Sequence, residues 1–205
     1  MTRLACAAAL VLLFISCARK DKIIGIQVYG KFNHEFVDSI KKSIHEIYGY
    51  NTIILTNKTL PSSAFINVKS PRYRADSLLR ILKRNKPDSI DFVLGLISRD
   101  ISTTKRDKNG DIKKPAYKYA DWGVFGLGYR PGPSCIISNY RIKNSDQNLN
   151  LQRLRKVCIH ELGHNFGLKH CEKSDKCVMR DAAETIRTVD QVDLKLCTYC
   201  QNRIK

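Results

Sequence analysis

Five residues spaced as HExxHxxGxxH could bind and use a metal ion: His160, Glu161, His164, Gly167 and His170. The chain of 205 residues contains only five His and five Glu, so chance rarely produces this spacing. On a helix, His160 and His164 would lie about 40° apart, so both imidazoles can reach one ion from the same face. Gly167 can adopt the left-handed conformation that ends a helix, which lets His170 return as a third ligand. The spacing therefore predicts a catalytic zinc site.

The same residues suggest how the metal would be used. Three neutral imidazoles leave the fourth zinc position open for water, as catalytic sites require. Zinc lowers the pKa of that water to about 7, so the water becomes the nucleophile near neutral pH. Glu161 is positioned to act as the general base, taking the proton of the water and passing it to the leaving amine. The alternative, three histidines on a polar helix without a metal, does not account for the complete five-residue pattern.

A second group of potential ligands follows the histidine motif. Four of the eight cysteines crowd into the last 35 residues, namely Cys171, Cys177, Cys197 and Cys200. Clustering at this density indicates a local constellation, either a metal site or disulfides. Cys135 and Cys158 instead lie in apolar surroundings, which predicts that they are core residues.

The region from His160 to Cys200 resembles a known family of metallopeptidases. Metzincins combine the extended zinc motif with a methionine turn beneath the metal, and Met179 lies nine residues beyond His170. Cys171 follows the third His directly, Cys177 and Met179 form CxM, and a CxxC comes after a gap of 17 residues. This order resembles the archaemetzincin family, although the spacer between Cys171 and Cys177 is one residue longer than in the family pattern. Upstream, from residue 23 to 144, the resemblance is only general.

The resemblance implies a zinc metallopeptidase, of the EC 3.4 class, that cleaves short peptides or acts at N-termini. It implies two zinc ions per chain, with Met179 forming the Met-turn beneath the catalytic one. The catalytic zinc would be held by His160, His164 and His170, and a structural zinc by Cys171, Cys177, Cys197 and Cys200. Four thiolates fit a closed tetrahedral site, whereas disulfides are the alternative that export of the protein would permit.

Two other classes of function are compatible with the motif. One is a zinc-binding or interaction protein without useful hydrolytic activity, but binding alone needs the histidines and not Glu161. The other is a metal-dependent amidase acting on cell-wall peptides, which an exported location would permit.

The hydrophobic pattern predicts the elements that position these residues. Strands are expected at 23–28, 52–56, 91–98 and 135–138, and helices at 34–48, 76–86 and from Ser145 onward. A β-α-β-α-β order predicts a largely parallel sheet covered by helices. On the last helix, a core stripe opposite the histidines is predicted at Leu151, Leu154, Cys158, Leu162 and Phe166. A capping box at Thr188 to Gln191 predicts a further helix that delivers Cys197 to its cluster.

These elements predict an α/β fold: a small twisted mixed, largely parallel sheet with covering helices, an active-site helix and an irregular zinc-bound C-terminal subdomain. A single metzincin-like catalytic domain is expected over 23–205, divided into subdomains 23–167 and 168–205. Segment 99–134 is expected to be mostly irregular. Within it, Trp122 to Tyr129 could form an edge strand that borders the cleft and pairs with substrate, or a plain surface loop.

The N-terminus has the pattern of an export signal. Leu4 to Ser16 is an uncharged run of thirteen residues, too short to cross a bilayer comfortably but suited to a signal-peptide core. The sequence ending at Cys17 resembles a bacterial lipobox, with Phe14 where Leu is usual. We therefore predict a lipoprotein signal peptide over 1–16, lipidation of Cys17 and a polar tether over 17–22. An ordinary secretion signal or an N-terminal anchor is the alternative.

The formal net charge of +17 comes from basic residues spread along the whole chain. Such a spread is typical of solvated protein faces, and these faces could lie near an anionic membrane surface. Nucleic acid is not expected as a partner, because no recognition module is legible. The expected partners are a peptide substrate and, through the N-terminal lipid, a membrane. The protein is expected to be an exported, membrane-anchored lipoprotein of a bacterial cell envelope and a monomer.

Overall fold

The computed structural model of the chain describes residues 22–181 and 185–204. The predicted signal peptide over 1–16 and the predicted lipidation site Cys17 lie outside the described residues. Within the described part, no helix combines the length and the apolar character needed to span a membrane.

The described residues form nine strands and six helices. The strands are β1 (Ile23–Tyr29), β2 (Asn51–Ile54), β3 (Phe65–Asn67), β4 (Pro71–Arg74), β5 (Phe92–Ile97), β6 (Ile101–Thr103), β7 (Trp122–Gly123), β8 (Gly126–Gly128) and β9 (Ser134–Ser138). The helices are α1 (His34–Tyr48), α2 (Ala75–Arg84), α3 (Ala116–Tyr119), α4 (Gln147–Asn165), α5 (Ile186–Gln191) and α6 (Thr198–Gln201). A 3-10 turn covers Ser62–Ala64.

A five-stranded sheet in the order β2-β1-β5-β9-β8 forms the centre of the fold. Its first four strands are parallel, and β8 pairs antiparallel with β9 at one edge. This mixed, largely parallel sheet with helices around it confirms the predicted fold class. Parallel strands bury both faces, which is why β5 is apolar throughout instead of alternating.

A second, four-stranded sheet in the order β3-β4-β6-β7 was not expected from the sequence. Its strands are two to four residues long, too short for a period-of-two pattern to be legible. The segment Trp122 to Tyr129, predicted as one edge strand, is divided between the sheets: β7 joins the second sheet and β8 the first.

Hydrophobic cores cover both faces of the central sheet. On one face, residues of α1 and α4 pack against Ile24, Leu94 and Ile137. On the other face, α2 packs against Val93 and Ile136. Neighbouring strand residues thus belong to opposite cores, as the alternation of side chains along a strand requires.

Local capping signals define the helix boundaries, with one error in the prediction. Helix α1 begins after Asn33, whose side chain accepts the Glu35 N–H, and ends at Gly49 with φ 71°, as predicted for 34–48. The predicted capping box at Thr188 is wrong. Thr185 caps α5 by accepting the Arg187 N–H, so Thr188 lies inside the helix. The helix ends at Gln191, and it does not deliver Cys197.

Candidate active site and second metal centre

The three predicted histidines lie together at the end of α4. Asp146 caps this helix by accepting the Asn148 N–H, and eleven of its 19 residues are buried. His160 and His164 lie one turn apart with ring centroids separated by 4.7 Å. Gly167, with φ 94°, turns the chain so that the His170 ring lies 5.3 and 4.9 Å from the other two. One ligand atom from each histidine lies within 4.8 Å of the others.

Hydrogen bonds determine which nitrogen of each ring faces the cluster. Nδ1 of His160 lies 2.8 Å from the carbonyl of Val178, and Nδ1 of His164 lies 2.8 Å from the carbonyl of Leu168. A carbonyl oxygen can only accept, so Nδ1 carries the proton and Nε2 keeps its lone pair for a metal. Nδ1 of His170 lies 3.4 Å from the carboxylate of Asp181. The sequence motif does not reveal these partners.

The rings are neutral at physiological pH, as metal ligands must be. Burial, together with the neighbouring rings, lowers the pKa of His160 to about 3. Burial likewise lowers the pKa of His164 to about 4, and it lowers the pKa of His170. Three neutral imidazoles with converging nitrogens are the donor set of catalytic zinc sites, so the residues fit the metal that the sequence predicts.

Glu161 lies buried between α4 and β8, with 8% of its surface exposed. A Cβ added to Gly126 would lie 2.7 Å from Glu161 Cγ, and one added to Gly128 would lie 3.2 Å from Oε2. Only glycines therefore let β8 approach the carboxylate this closely. Burial raises the pKa of Glu161 to about 8, which makes it a strong base for its residue type.

Met179 and Tyr48 both lie next to Gly163, between the two helical histidines. Met179 is fully buried, and a Cβ on Gly163, between the two helical histidines, would overlap its sulfur. The Tyr48 hydroxyl donates to the carbonyl of Ile159 at 2.6 Å. Met179 was predicted from its spacing, whereas Tyr48 comes from α1 and has no sequence signal that points to the site.

The four C-terminal cysteines form a separate cluster. Their sulfurs lie within 4.8 Å of one another, with 3.6 Å between Cys171 and Cys197 and 3.8 Å between Cys177 and Cys200. Four thiolates bound tetrahedrally to zinc at about 2.3 Å would be separated by about 3.8 Å. The cysteines within the described residues are all free thiols. The cluster therefore fits a four-thiolate zinc site.

The sulfurs of the cluster differ from one another, because burial raises the pKa of Cys177 and of Cys200, whereas the pKa of Cys197 is lowered. Burial opposes ionisation of Cys197, but hydrogen bonds from the backbone N–H of Cys200 and from neighbouring thiols outweigh it and lower its pKa. Cys135 and Cys158 are fully buried, as predicted for core residues, and burial raises the pKa of both well above the usual value.

One cavity of about 760 Å³ connects the histidine cluster with the β7–β8 segment and α5. This volume is within the range of small-ligand sites, about 300–1,000 Å³. Sequence reasoning placed the histidines, Glu161 and the segment Trp122–Tyr129 at this cleft, and the structure brings them together there. It missed Arg141 and Lys156, which also line the cavity. Arg141 had no signal, because its carboxylate partner Asp100 lies 41 positions away.

Comparisons with known proteins agree with this geometry. The model of peptidase family M54 matches residues 13–205. The archaemetzincin of Haloquadratum walsbyi is 31% identical over 171 residues, covering 79% of this chain and 87% of that protein. The archaemetzincin of Methanopyrus kandleri is 31% identical over 164 residues, covering 80% and 83%.

Solved structures are similar over nearly the whole chain. The crystal structure of the Methanopyrus kandleri archaemetzincin has a TM-score of 0.72 at 26% identity and covers 90% of this chain and 93% of that one. The archaemetzincin of Archaeoglobus fulgidus, complexed with malonate, has a TM-score of 0.69 at 25% identity and covers 89% and 99%.

Proposed function

The chain belongs to the archaemetzincins, peptidase family M54, and is a zinc metallopeptidase; on that premise we propose that it hydrolyses peptide bonds in short peptides or at N-termini. One observation carries the proposal. The cavity is lined by three histidines whose free nitrogens converge, by the buried carboxylate of Glu161 and by the edge of strand β8. A metal site, a base and a place for an extended peptide are thereby combined.

His160, His164 and His170 would hold the catalytic ion. When bound, zinc activates water and polarises the carbonyl of the scissile bond. Glu161 accepts a proton from the attacking water and delivers it to the leaving nitrogen, which departs as a neutral amine. Its pKa of about 8, raised by burial, suits a group that must both take and return a proton near neutral pH.

The free edge of β8 is suited to hold the substrate backbone. Phe125 and Tyr129 hydrogen-bond to β9 through their main chains, so the groups of Gly126 and Gly128 point to the opposite edge. An extended peptide added at this edge would lie beside Glu161, whose side chain a Cβ on either glycine would meet. We expect a bound peptide inhibitor to pair with these two residues, and binding elsewhere in the cavity would refute this part.

The four cysteines would hold a second, structural zinc, giving two ions per chain with Met179 beneath the catalytic one. Support comes from the sulfur separations, which match a tetrahedral thiolate site.

Acylation of Cys17 would anchor this peptidase, as a monomer, to the bacterial cell envelope. The support is the uncharged run Leu4 to Ser16 and the small residue before Cys17. Mass spectrometry of the mature N-terminus tests it, and a protein that begins at Met1 or carries an unmodified Cys17 would refute it.

The test of the proposed activity is a peptide library digested with the purified mature protein. We expect cleavage that a chelator abolishes and zinc restores, with His164→Ala inactive under the same conditions. Cleavage that persists in His164→Ala would indicate a contaminating peptidase. Selective cleavage of cell-wall peptides would identify an amidase instead. If the zinc-loaded protein hydrolysed no substrate, it would be a zinc-binding protein without hydrolytic activity.

A further inference from the structure

The ionisable side chains that line the cavity, apart from the histidines, are mostly cationic. Among the residues that the structure describes, the cationic ones are Lys105, Arg130, Arg141, Lys156 and Arg180, whereas the acidic ones are Glu161 and Asp181. Glu161 is committed to proton transfer and Asp181 lies beside His170. Arg141 and Arg180 are ion-paired with Asp100 and Asp175, but the described lining still holds more cationic than acidic groups, which favours an anionic group on the bound molecule.

Arg141 is the most rigidly held of these cations. Its Nε and Nη2 donate to the two carboxylate oxygens of Asp100 at 2.6 and 2.7 Å, and Asp100 has only 6% of its side chain exposed. The guanidinium lies flat against Gly123, where any Cβ would overlap it. A planar guanidinium fixed in this way has lost its conformational freedom before any ligand arrives, so binding does not have to immobilise it.

The third nitrogen of Arg141 remains to donate. Nη1 meets no hydrogen-bond acceptor among the residues that the structure describes, while 35% of the side chain is exposed at the cavity. Arg72 lies 3.5 Å from the same carboxylate and 3.7 Å from that of Asp121, so two arginines face two aspartates in this network. What Arg141 offers to a ligand is therefore the unused Nη1 donor of a fixed, permanently charged guanidinium.

Lys156 provides a second cation that lines the same cavity. Its ammonium donates to the carbonyls of Val189 and Asp190 on α5 at 2.9 and 3.2 Å, which leaves one of its three protons. The apolar side chains of Val157, Val189 and Val192 also line the cavity. An ionic hydrogen bond made beside such a surface is stronger than one made in open water.

The position of this region relative to the reacting bond follows from the helix. Lys156 and Val157 precede His160 and Glu161 by four residues each, which is about 6 Å along the axis. If the scissile peptide bond of a substrate is held at the histidines, the side chain of the neighbouring substrate residue is long enough to cover that distance. Gly123, which lies against Arg141, precedes β8 in the chain. The region around Arg141 therefore adjoins the strand edge that would hold the peptide.

We propose that Arg141 and Lys156 form a subsite for a carboxylate of the substrate, so that the enzyme prefers peptides with an acidic group next to the scissile bond. The inference rests on the proposed peptidase function and specifies its substrate class. The carboxylate can be the side chain of Glu or Asp, or the terminal carboxylate of a short peptide that ends there.

The test compares matched peptides on the zinc-loaded protein. One pair differs by Glu against Gln beside the cleaved bond, and a second pair by a free against an amidated C-terminus. We expect kcat/KM to favour the charged member of at least one pair by about 10-fold, the value of one charge-assisted hydrogen bond. The pair that shows the preference identifies the source of the carboxylate. Equal rates for both pairs would overturn the proposal while leaving the peptidase function intact.

Variants assign the preference to its residues. Arg141→Met should abolish most of the preference, mainly by raising KM for the charged peptide, and Arg141→Lys should restore part of it. Lys156→Gln should reduce it by a smaller factor. Because the preference is a ratio within one preparation, partial misfolding of a variant does not affect it. Arg80→Gln, which removes an ion-paired arginine outside the cavity, is the control.

Two further measurements separate the possible failures. If Arg130→Gln, and not Arg141→Met, abolished the preference, the assigned subsite would be wrong. Binding of the same peptides to zinc-loaded Glu161→Gln, measured by calorimetry, does not depend on turnover. Selective binding of the charged peptide without hydrolysis by the wild type would support the subsite and refute the proposed activity, and equal affinities there would overturn the subsite.

Discussion

The two candidate metal centres use adjacent residues of one chain and differ in almost every physical respect. His170 has 39% of its side chain exposed at the cavity, whereas the next residue, Cys171, is 2% exposed. The histidines come from one helix and the turn after it. The cysteines come from segments 20 or more residues apart. The histidine site is called the open centre, because three ligands leave a metal position for reaction. The cysteine site is called the closed centre, because four ligands leave none.

The thiol cluster and the histidine site are connected through a short segment of the chain. Three consecutive residues connect them: Cys177 lies in the thiol cluster, the carbonyl of Val178 lies 2.8 Å from His160 Nδ1, and Met179 packs under Gly163. Helices α5 and α6 have six and four residues, far too few to persist without tertiary support. A metal held by the cysteines would therefore stabilise both this tail and the support of the histidines.

Removing the closed centre should have the largest effect. The double variant Cys197→Ser/Cys200→Ser should lose one zinc and, because thiolate zinc sites contribute on the order of 10 kcal/mol to folding, much of the chain's stability. Elemental analysis and denaturant unfolding measure both. Cys158→Ala, which removes a buried thiol outside either ligand set, should keep two ions. A wild type with one zinc and no titratable thiols among the four would establish disulfides instead.

Removing the open centre should produce the opposite pattern. His164→Ala should lose the catalytic zinc and all measurable activity, because two ligands hold zinc poorly, while the cysteine-bound ion remains. Stability should fall much less than in the double cysteine variant. A His164→Ala protein that lost both ions would show that the two centres fold as one unit.

Glu161→Ala should separate the base from the ligands within the open centre. Both ions should remain bound, since the carboxylate is not a ligand, yet turnover should fall by roughly 10²–10⁴-fold. Zinc content and peptidase rate are measured on the same preparation. Glu172→Ala, which changes an exposed glutamate, should retain wild-type turnover. Full activity in Glu161→Ala would remove the basis for the hydrolase assignment.

The smallest effect concerns the ion pair that joins α4 to the tail. Arg153 donates to Asp190 at 2.7 Å through two nitrogens, and this lowers the pKa of Asp190 below its ordinary value of 3.8. The pair's contribution is therefore present above pH 3.8 and disappears as the pH falls through the lowered value in the folded state. Asp190→Asn should cost about 1 kcal/mol at neutral pH.

The pH dependence supplies the control for this pair. The difference in unfolding free energy between wild type and Asp190→Asn should shrink steadily below pH 4, where the wild-type carboxylate takes up its proton. A difference that stayed constant down to pH 2 would mean that the variant acts through packing and not through charge.

Local patterns were sufficient to predict the chemistry of the open centre and the central sheet. The spacing of His160 and His164 determines their common face on any helix, and Gly167 indicates the turn that returns His170. Likewise the apolar runs of β1, β5 and β9 predict buried parallel strands, because each signal is complete within a few residues of sequence.

Contacts between distant segments were decided by the tertiary structure alone. The second sheet consists of strands too short to have a periodic signal, and Trp122–Tyr129 divides between two sheets because each half finds a different partner. Asp100 holds Arg141 in place at the cavity, and the carbonyl of Val178 determines which nitrogen of His160 carries the proton. The sequence by itself determined which residues could do chemistry. Only the fold decided what each of them faces, because pairing across 18 to 111 residues leaves no local pattern.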